Sequence, residues 1–393
     1  MSTERERIRT VLKREKPDRI PWATRLDIWY QSHRRSGTLP AEYRELEEMA
    51  VYDALNIGCQ SYAPLTKVLL KGVEVRVEFN GEQINRLSSP AISFPVCYEL
   101  VPLEHAGRTV INFVTPAGTS RALFKTTDKI LESFATPYLE KHLIEEDADF
   151  GVVEWILDHS QVIPDHESFL TREEEIGDRG LTVGMLGRIP FQRLLLDFLG
   201  EERCFYLMFD NPSRFKSLLD RLSEIDVENL RLGLNSPAFM LEYGDNFDGE
   251  ITNPNLFAEY CLPHLQQASE KVSSSGRVLG SHMDGDMRNL IDLIPETGLD
   301  VVESFSPAPL SSLSFDDAWQ AWKSRVIPWG IIPSPLFDEL SPTQNFERAV
   351  TEMVQTIASE GLAILCIADQ ALRPTLPDRI LLAGELIEEY GRY

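Results

Sequence analysis

Apolar and polar positions change rhythm three times along this chain. At the start, Ile8, Val11 and Leu12 recur at helical spacing behind Thr3, a residue type that caps helix N-termini. Residues 25–57 continue as mostly helical, interrupted at Ser36-Gly37 and at Pro40. From 73 to 125 the period becomes two. Val73-Glu-Val-Arg-Val-Glu-Phe79 alternates, Asn80-Gly81 is a hairpin signal, and Thr109-Val-Ile-Asn-Phe-Val114 resumes the alternation, which predicts an antiparallel meander. Beyond about residue 128, short apolar runs alternate with helical stretches. The runs are 181–186, 238–243, 278–281, 301–305, 326–332 and 363–368. The helical stretches include 212–234, 345–359 and 256–272, the last with Asn253 as its cap and Pro254 in its first turn. A further helical stretch is expected over 287–294.

Strand–helix alternation with β-branched strands predicts a parallel sheet. Six runs, with one or two weaker ones near the start, suit an α/β (β/α)8 TIM barrel carrying N-terminal helices and an inserted antiparallel hairpin region. A doubly wound sheet is the alternative, but no GxGxxG turn follows any run. The expectation is one domain over 1–393, with N-terminal helices in 1–72, the meander in 73–125 and the main part of the barrel in 126–393.

Composition narrows the partners. With 393 residues, 43% hydrophobic and 25% charged, the chain is long enough to build a sizeable core. A formal net charge of -24 argues against a nucleic-acid partner, because phosphate binding needs clustered Lys and Arg. It argues less strongly against an anionic small molecule, which a local basic pocket can hold. The five cysteines are scattered and never form a CxxC pair, as suits a reducing cytoplasm. The charged N-terminus lacks the apolar stretch of a signal peptide, and no run is long enough to span a membrane. The expectation is a cytoplasmic protein acting on a small-molecule substrate, with no membrane partner and with a homodimer open.

The candidate chemistry lies at the strand ends. Active sites of barrel enzymes sit at the C-terminal face, where the strand ends converge. Those ends carry Glu242, Tyr243, Asp245 and Asp248 after one strand, then His282 and Asp284, then Glu303, and finally Cys366 with Asp369. Residues i and i+2 of an extended segment point the same way, so His282 and Asp284 project together, and Glu303 is expected to share a face with Phe305. His, Cys, Asp and Glu at one rim suit zinc. The simpler readings are that Asp284 caps a helix beside a surface His, that Cys366 is a small core residue, and that Glu242 and Glu303 form salt bridges. Carboxylates inside apolar strands seldom stay unpaired, which makes Glu242 and Glu303 catalytic candidates along with Asp245. Arg25, Arg34 and Arg35 are candidates to bind an anionic substrate, beside Tyr243 and Asp248.

The order of motifs resembles the uroporphyrinogen decarboxylase superfamily over nearly the whole chain. The resemblance is carried by residues 6–21, by Phe113-Val-Thr-Pro-Ala-Gly-Thr119, and by Asp248-Gly-Glu-Ile-Thr-Asn-Pro254. It continues in Ser281-His-Met-Asp-Gly285 through Gly298-Leu-Asp-Val-Val-Glu303, and in the tail that starts at Ala368-Asp-Gln. It implies the same (β/α)8 barrel with extra N-terminal helices. The arginine-rich run that grips porphyrinogen carboxylates in true decarboxylases is missing from Pro21-Trp-Ala-Thr-Arg-Leu-Asp-Ile-Trp29. Their Gly-His-Gly turn on the last strand is replaced by Cys366-Ile-Ala.

The chain is closer to the corrinoid-dependent methyltransferase branch, whose zinc site resembles His-x-Cys plus a Cys on the last strand. That resemblance implies metal ligation by His282, Asp284 and Cys366, with Asp284 standing where the branch has Cys. It also implies zinc, a corrinoid or folate methyl carrier, and a corrinoid carrier protein as partner. The expected activity is metal-assisted methyl transfer or demethylation. The alternatives are a metal-free decarboxylase and a non-catalytic ligand-binding homologue.

Overall fold

The computed structural model describes residues 2–323 and 325–393. The chain divides into two compact units, one made of residues 1–63, 167–187 and 237–393, the other of 64–166 and 188–236.

The first unit holds the expected (β/α)8 barrel. Its strands are β1 (Ala23–Thr24), β2 (Gly58–Pro64), β3 (Gly180–Met185), β4 (Met240–Tyr243), β5 (Val278–His282), β6 (Val301–Phe305), β7 (Ile327–Pro333) and β8 (Ile364–Ala368). They are hydrogen-bonded in that order. The six apolar runs read from the sequence are β3 to β8, and the two weak strands near the start are β1 and β2. Closure falls to the shortest strand. Trp22 and Leu365 form a parallel bridge, and the Thr24 hydroxyl accepts the Ile367 N–H at 3.2 Å, so a side chain continues the ladder where β1 stops.

Period two along the strands sorts the barrel interior into layers. Val278, Val301, Ile327, Ile364, Met240, Leu181 and Ala23 form an apolar floor. Helix Glu4–Leu12 packs Ile8, Val11 and Leu12 into this floor, and Thr3 and Glu6 complete its capping box. Two residues further along the same strands come Glu242, Gly280, Glu303, Trp329 and Cys366, and two residues beyond Gly280 is His282. The polar layer therefore rests on a packed apolar plug at the C-terminal end of the barrel.

One expected helix is different. Residues 287–294 form a 3-10 turn at Arg288–Leu290, followed by another at Ile294–Thr297. Pro295 has no N–H to give to the Ile291 carbonyl, and that carbonyl accepts the Trp322 indole N–H at 2.9 Å instead.

The second unit contains the meander. Its five-stranded antiparallel sheet runs in the order 82–88, 74–79, 107–115, 118–126, 138–141. Asn80 and Gly81 both have positive φ, as the tight hairpin between the first two strands in sequence requires. Val75 and Val77 lie opposite Phe113 and Ile111, and all four are buried on one face. Among the described residues no helix is long and apolar enough to cross a membrane.

Candidate metal centre

His282 ends β5, and the parallel register sets it beside Glu303 of β6. Its Nδ1 lies 2.6 Å from Glu303 Oε2, a short charge-assisted hydrogen bond. Glu242 of β4 is level with Gly280. A Cβ at Gly280 would stand 2.5 Å from the Met240 methyl group and 3.4 Å from Glu242 Oε2, so glycine there makes room for the Met240 methyl group beneath the carboxylate. Glu242 and Glu303 are fully buried, and neither Glu242 oxygen meets a hydrogen-bond donor among the described residues.

The other ring nitrogen faces a second pair of carboxylates. His282 Nε2 is 3.7 Å from Asp284 Oδ2 and 3.8 Å from Asp369 Oδ1. Asp284 accepts the Asn246 amide at 2.9 Å. Gly285 follows it and lies so close to the Phe247 carbonyl that the two loops are drawn together. Asp369 pairs with Arg25 at 2.6 Å and with the Ser304 hydroxyl. The Arg25 guanidinium in turn lies 4.8 Å above the Tyr62 ring.

Ser304 reaches the site because β6 carries a bulge. Register shifts between Glu303 and Phe305, and Ser304 takes a positive φ. Gly330 on β7 permits this, since a Cβ there would lie 2.7 Å from the Phe305 carbonyl oxygen. The bulge also overturns the expectation that Glu303 and Phe305 share a face. The Phe305 ring packs 4.9 Å from Trp322 in the helical layer, while Glu303 points inward.

The electrostatics follow from burial and from these pairings. Burial opposes a charge on His282, but the Glu303 charge and hydrogen bond, with the nearby Asp284 and Asp369 carboxylates, outweigh it and hold the imidazolium well above its usual range. Burial likewise opposes the Glu303 carboxylate, and His282 and Arg25 keep it below the usual range. Glu242 has burial and the Glu303 charge both against ionisation, and its carboxyl is raised well above the ordinary value. Asp284 is held at about 2, because the nearby His282 and the hydrogen bond from Asn246 prevail over its burial.

Among the described residues, two groups of donors have ligand atoms within 4.8 Å of one another: Glu242, His282 and Glu303, and His282, Asp284 and Asp369. Cys366 belongs to neither. Its Sγ stands 3.1 Å from Thr24 Oγ1 and 3.5 Å from Gln60 Oε1, and burial above all pushes its thiol up to about 12. Asp245 accepts from Ser281 at 2.8 Å, and Ser281 alternates with His282 and so faces the helical layer. Tyr243 is buried, its ring 6.0 Å from that of His264. Asp248 accepts the Glu250 N–H at 2.8 Å and caps its own loop. Arg25 reaches the centre through Asp369, whereas Arg34 pairs with Glu47 at the surface.

Sequence reasoning missed Gln60, Tyr62, Ser304 and Asn246, and it kept Asp369 at the rim without grouping it with His282. No alternation of apolar and polar residues marks β2, so the sequence carries no signal for Gln60 or Tyr62.

Residues 199–369 match the family model of uroporphyrinogen decarboxylase (URO-D), so the resemblance read from the motifs is borne out over the segment that carries Glu242, His282, Asp284, Glu303 and Asp369. A methyltransferase from Methanosarcina mazei shares the fold over 99% of this chain and 99% of its own, with a TM-score of 0.55 and 14% sequence identity. A GH2 beta-galacturonidase from Eisenbergiella tayi, solved bound to glycerol, aligns over 82% of this chain and 68% of its own at a TM-score of 0.31 and 14% identity, too low to carry an argument. No curated protein matches the chain.

Proposed function

We propose that this URO-D-type barrel is a metal-assisted methyltransferase or demethylase, with a divalent cation such as zinc held by His282, Asp284 and Asp369. The observation that carries this reading is the spacing around the two nitrogens of His282. On the Nδ1 side Glu303 is already in direct hydrogen bond at 2.6 Å, which leaves no room for an ion. On the Nε2 side the carboxylate oxygens stand at 3.7 and 3.8 Å, too far to hydrogen-bond. Two ligands about 2.1 Å from one zinc at the tetrahedral angle are roughly 3.4 Å apart, so the gap is close to what an ion would bridge. Asp369 thus takes the place that the motif resemblance gave to Cys366.

A cation bound there would polarise a leaving group or lower the pKa of a methyl acceptor. The chain's own residues do the positioning. Glu303 holds the Nδ1 proton and leaves Nε2 for the metal, as carboxylate partners of metal-bound histidines do. Asn246 fixes Asp284, and Arg25 and Ser304 fix Asp369. Nitrogen and oxygen donors without sulfur make a harder cation, which favours methyl groups on oxygen or nitrogen over thiols. A corrinoid or folate carrier would be the second methyl-transfer substrate, the corrinoid arriving on its own carrier protein.

The charge balance disfavours a porphyrinogen. Four carboxyl groups, Glu242, Glu303, Asp284 and Asp369, face Arg25 and His282, and Arg25 is already paired. A substrate rich in carboxylates would meet repulsion here, whereas a divalent cation would not.

The test is elemental analysis of purified protein with a turnover assay. About one divalent cation per chain is expected, lost in His282→Ala, together with methyl transfer from an O- or N-methyl donor to a corrinoid. Metal content unchanged in His282→Ala, or metal-independent loss of carboxylate from uroporphyrinogen, would overturn the reading. Metal without any turnover would leave the non-catalytic homologue.

A further inference from the structure

Gln60 lies on β2, is 1% exposed, and has every polar hydrogen-bonding atom engaged inside the barrel. Its Nε2 donates to Glu303 Oε1 at 2.5 Å and to the Tyr62 hydroxyl at 3.0 Å. Its Oε1 lies 3.5 Å from Cys366 Sγ. The Cys366 thiol has a nearer acceptor in the Ile367 carbonyl at 3.1 Å, so the face of the amide is set by its donation to Glu303 and Tyr62. The orientation of the amide is therefore determined. Turned over, its oxygen would face the Glu303 carboxylate at 2.5 Å, acceptor against acceptor, inside a buried site.

Glu303 is thus held from both sides, Oε1 by Gln60 and Oε2 by His282 Nδ1. We propose that Gln60 is a positioning residue for the centre: it fixes Glu303 and, through Glu303, fixes Nε2 as the nitrogen of His282 that faces Asp284 and Asp369. The proposal rests on the reading of His282 as the metal anchor. Cys366 stands outside the ligand set, beside the Gln60 amide oxygen at 3.5 Å. The chain Gln60, Glu303, His282 draws on β2, β6 and β5, so a strand next to the barrel's closure orients a ligand on its far wall.

The test uses Gln60→Met, which keeps the length and bulk of the side chain and removes both donors. In the metal-free wild-type chain, labelled with 15N-histidine, the His282 Nδ1–H should give a downfield proton resonance protected from exchange. Gln60→Met should shift or broaden it while thermal unfolding still shows a cooperative fold, and Glu303→Gln should remove it. In competition with a chelator, Gln60→Met should bind zinc roughly 10- to 100-fold more weakly, with no further loss when added to Glu303→Gln. If Gln60→Met fails to fold, Gln60→Leu serves instead, with the same change expected in the resonance. A resonance absent from wild type, or unmoved in the variant that folds, overturns the proposal, and so does a zinc loss that adds fully to that of Glu303→Gln. A wild-type chain that shows the resonance and its Gln60 dependence but takes up no metal overturns the proposed function and leaves the positioning role standing.

Discussion

Gly285 sits against Phe247 so closely that a Cβ on it would lie 2.2 Å from the Phe247 carbonyl oxygen. This approach ties the loop after β4 to the loop after β5, and it puts the Asn246 amide on Asp284. Gly285→Ala must push the loops apart. We expect a destabilisation of about 1–3 kcal/mol and a weakened metal site, read as a lower unfolding temperature and a lower metal content. A variant as stable and as metal-rich as wild type would show that the approach has no such role.

Zinc should stabilise the chain, because a ligand that binds only the native state shifts the folding equilibrium. At a free concentration a hundred times Kd the gain is about 2.7 kcal/mol, seen as a rise in Tm that a chelator reverses. Asp284→Asn should abolish most of the rise. An equal rise in that variant places the zinc elsewhere.

Cys366→Ala is expected to keep metal stoichiometry near that of wild type, because Cys366 lies outside both donor groups and its thiol is raised to about 12 by burial. Loss of the metal in Cys366→Ala, with Asp369→Asn retaining it, would restore the ligand set that the motif resemblance implied.

Asp284 makes folding of the metal-free chain depend on acid. Its folded-state value of about 2 lies below the ordinary carboxylate value, so the unfolded chain binds more protons between roughly pH 4 and pH 2. The stability it contributes is present above pH 4 and is lost as pH falls through 2. With its side chain partly open to solvent, that contribution is at most about 2 kcal/mol. Asp284→Asn should flatten the acid limb of the stability profile by up to that amount, and denaturant melts from pH 2 to 7 would detect it.

Glu242 acts in the opposite sense. Its folded-state carboxyl is raised, so the native state holds a proton that the unfolded chain has released, and its contribution falls as pH rises above the ordinary glutamate value. Glu242→Gln removes this term. The metal-free variant should match wild type below about pH 4 and exceed it at neutral pH by roughly 1–3 kcal/mol, the usual scale for an unsatisfied buried polar group. Melts showing equal stability at both pH values would mean that Glu242 finds a partner in solution.

Much of this arrangement was legible before the fold was known, for local reasons. His282 and Asp284 are two apart on one strand end, so their shared direction needs only the pleat of a β-strand. Glu242 and Glu303 stand out as carboxylates inside apolar runs. Gln60 had no such contrast, because β2 lies in a stretch read as ending helical structure, and β1 is two residues long, too short to show any period. Phe305 was misassigned by one bulged residue, since an inserted residue in a strand exchanges inside and outside for all that follow it.

The sequence by itself determined the barrel class, the apolar strand runs and the strand ends that bear the ionisable groups, because periodicity and capping depend on neighbours a few residues apart. Only the tertiary structure decided that Asp369, and not Cys366, faces the open nitrogen of His282, and that Gln60 stands behind Glu303. Those choices depend on the register between strands and on how β1 closes against β8. Register joins residues such as His282 and Glu303, 21 apart, and closure joins residues such as Thr24 and Cys366, 342 apart, and no local spacing records either.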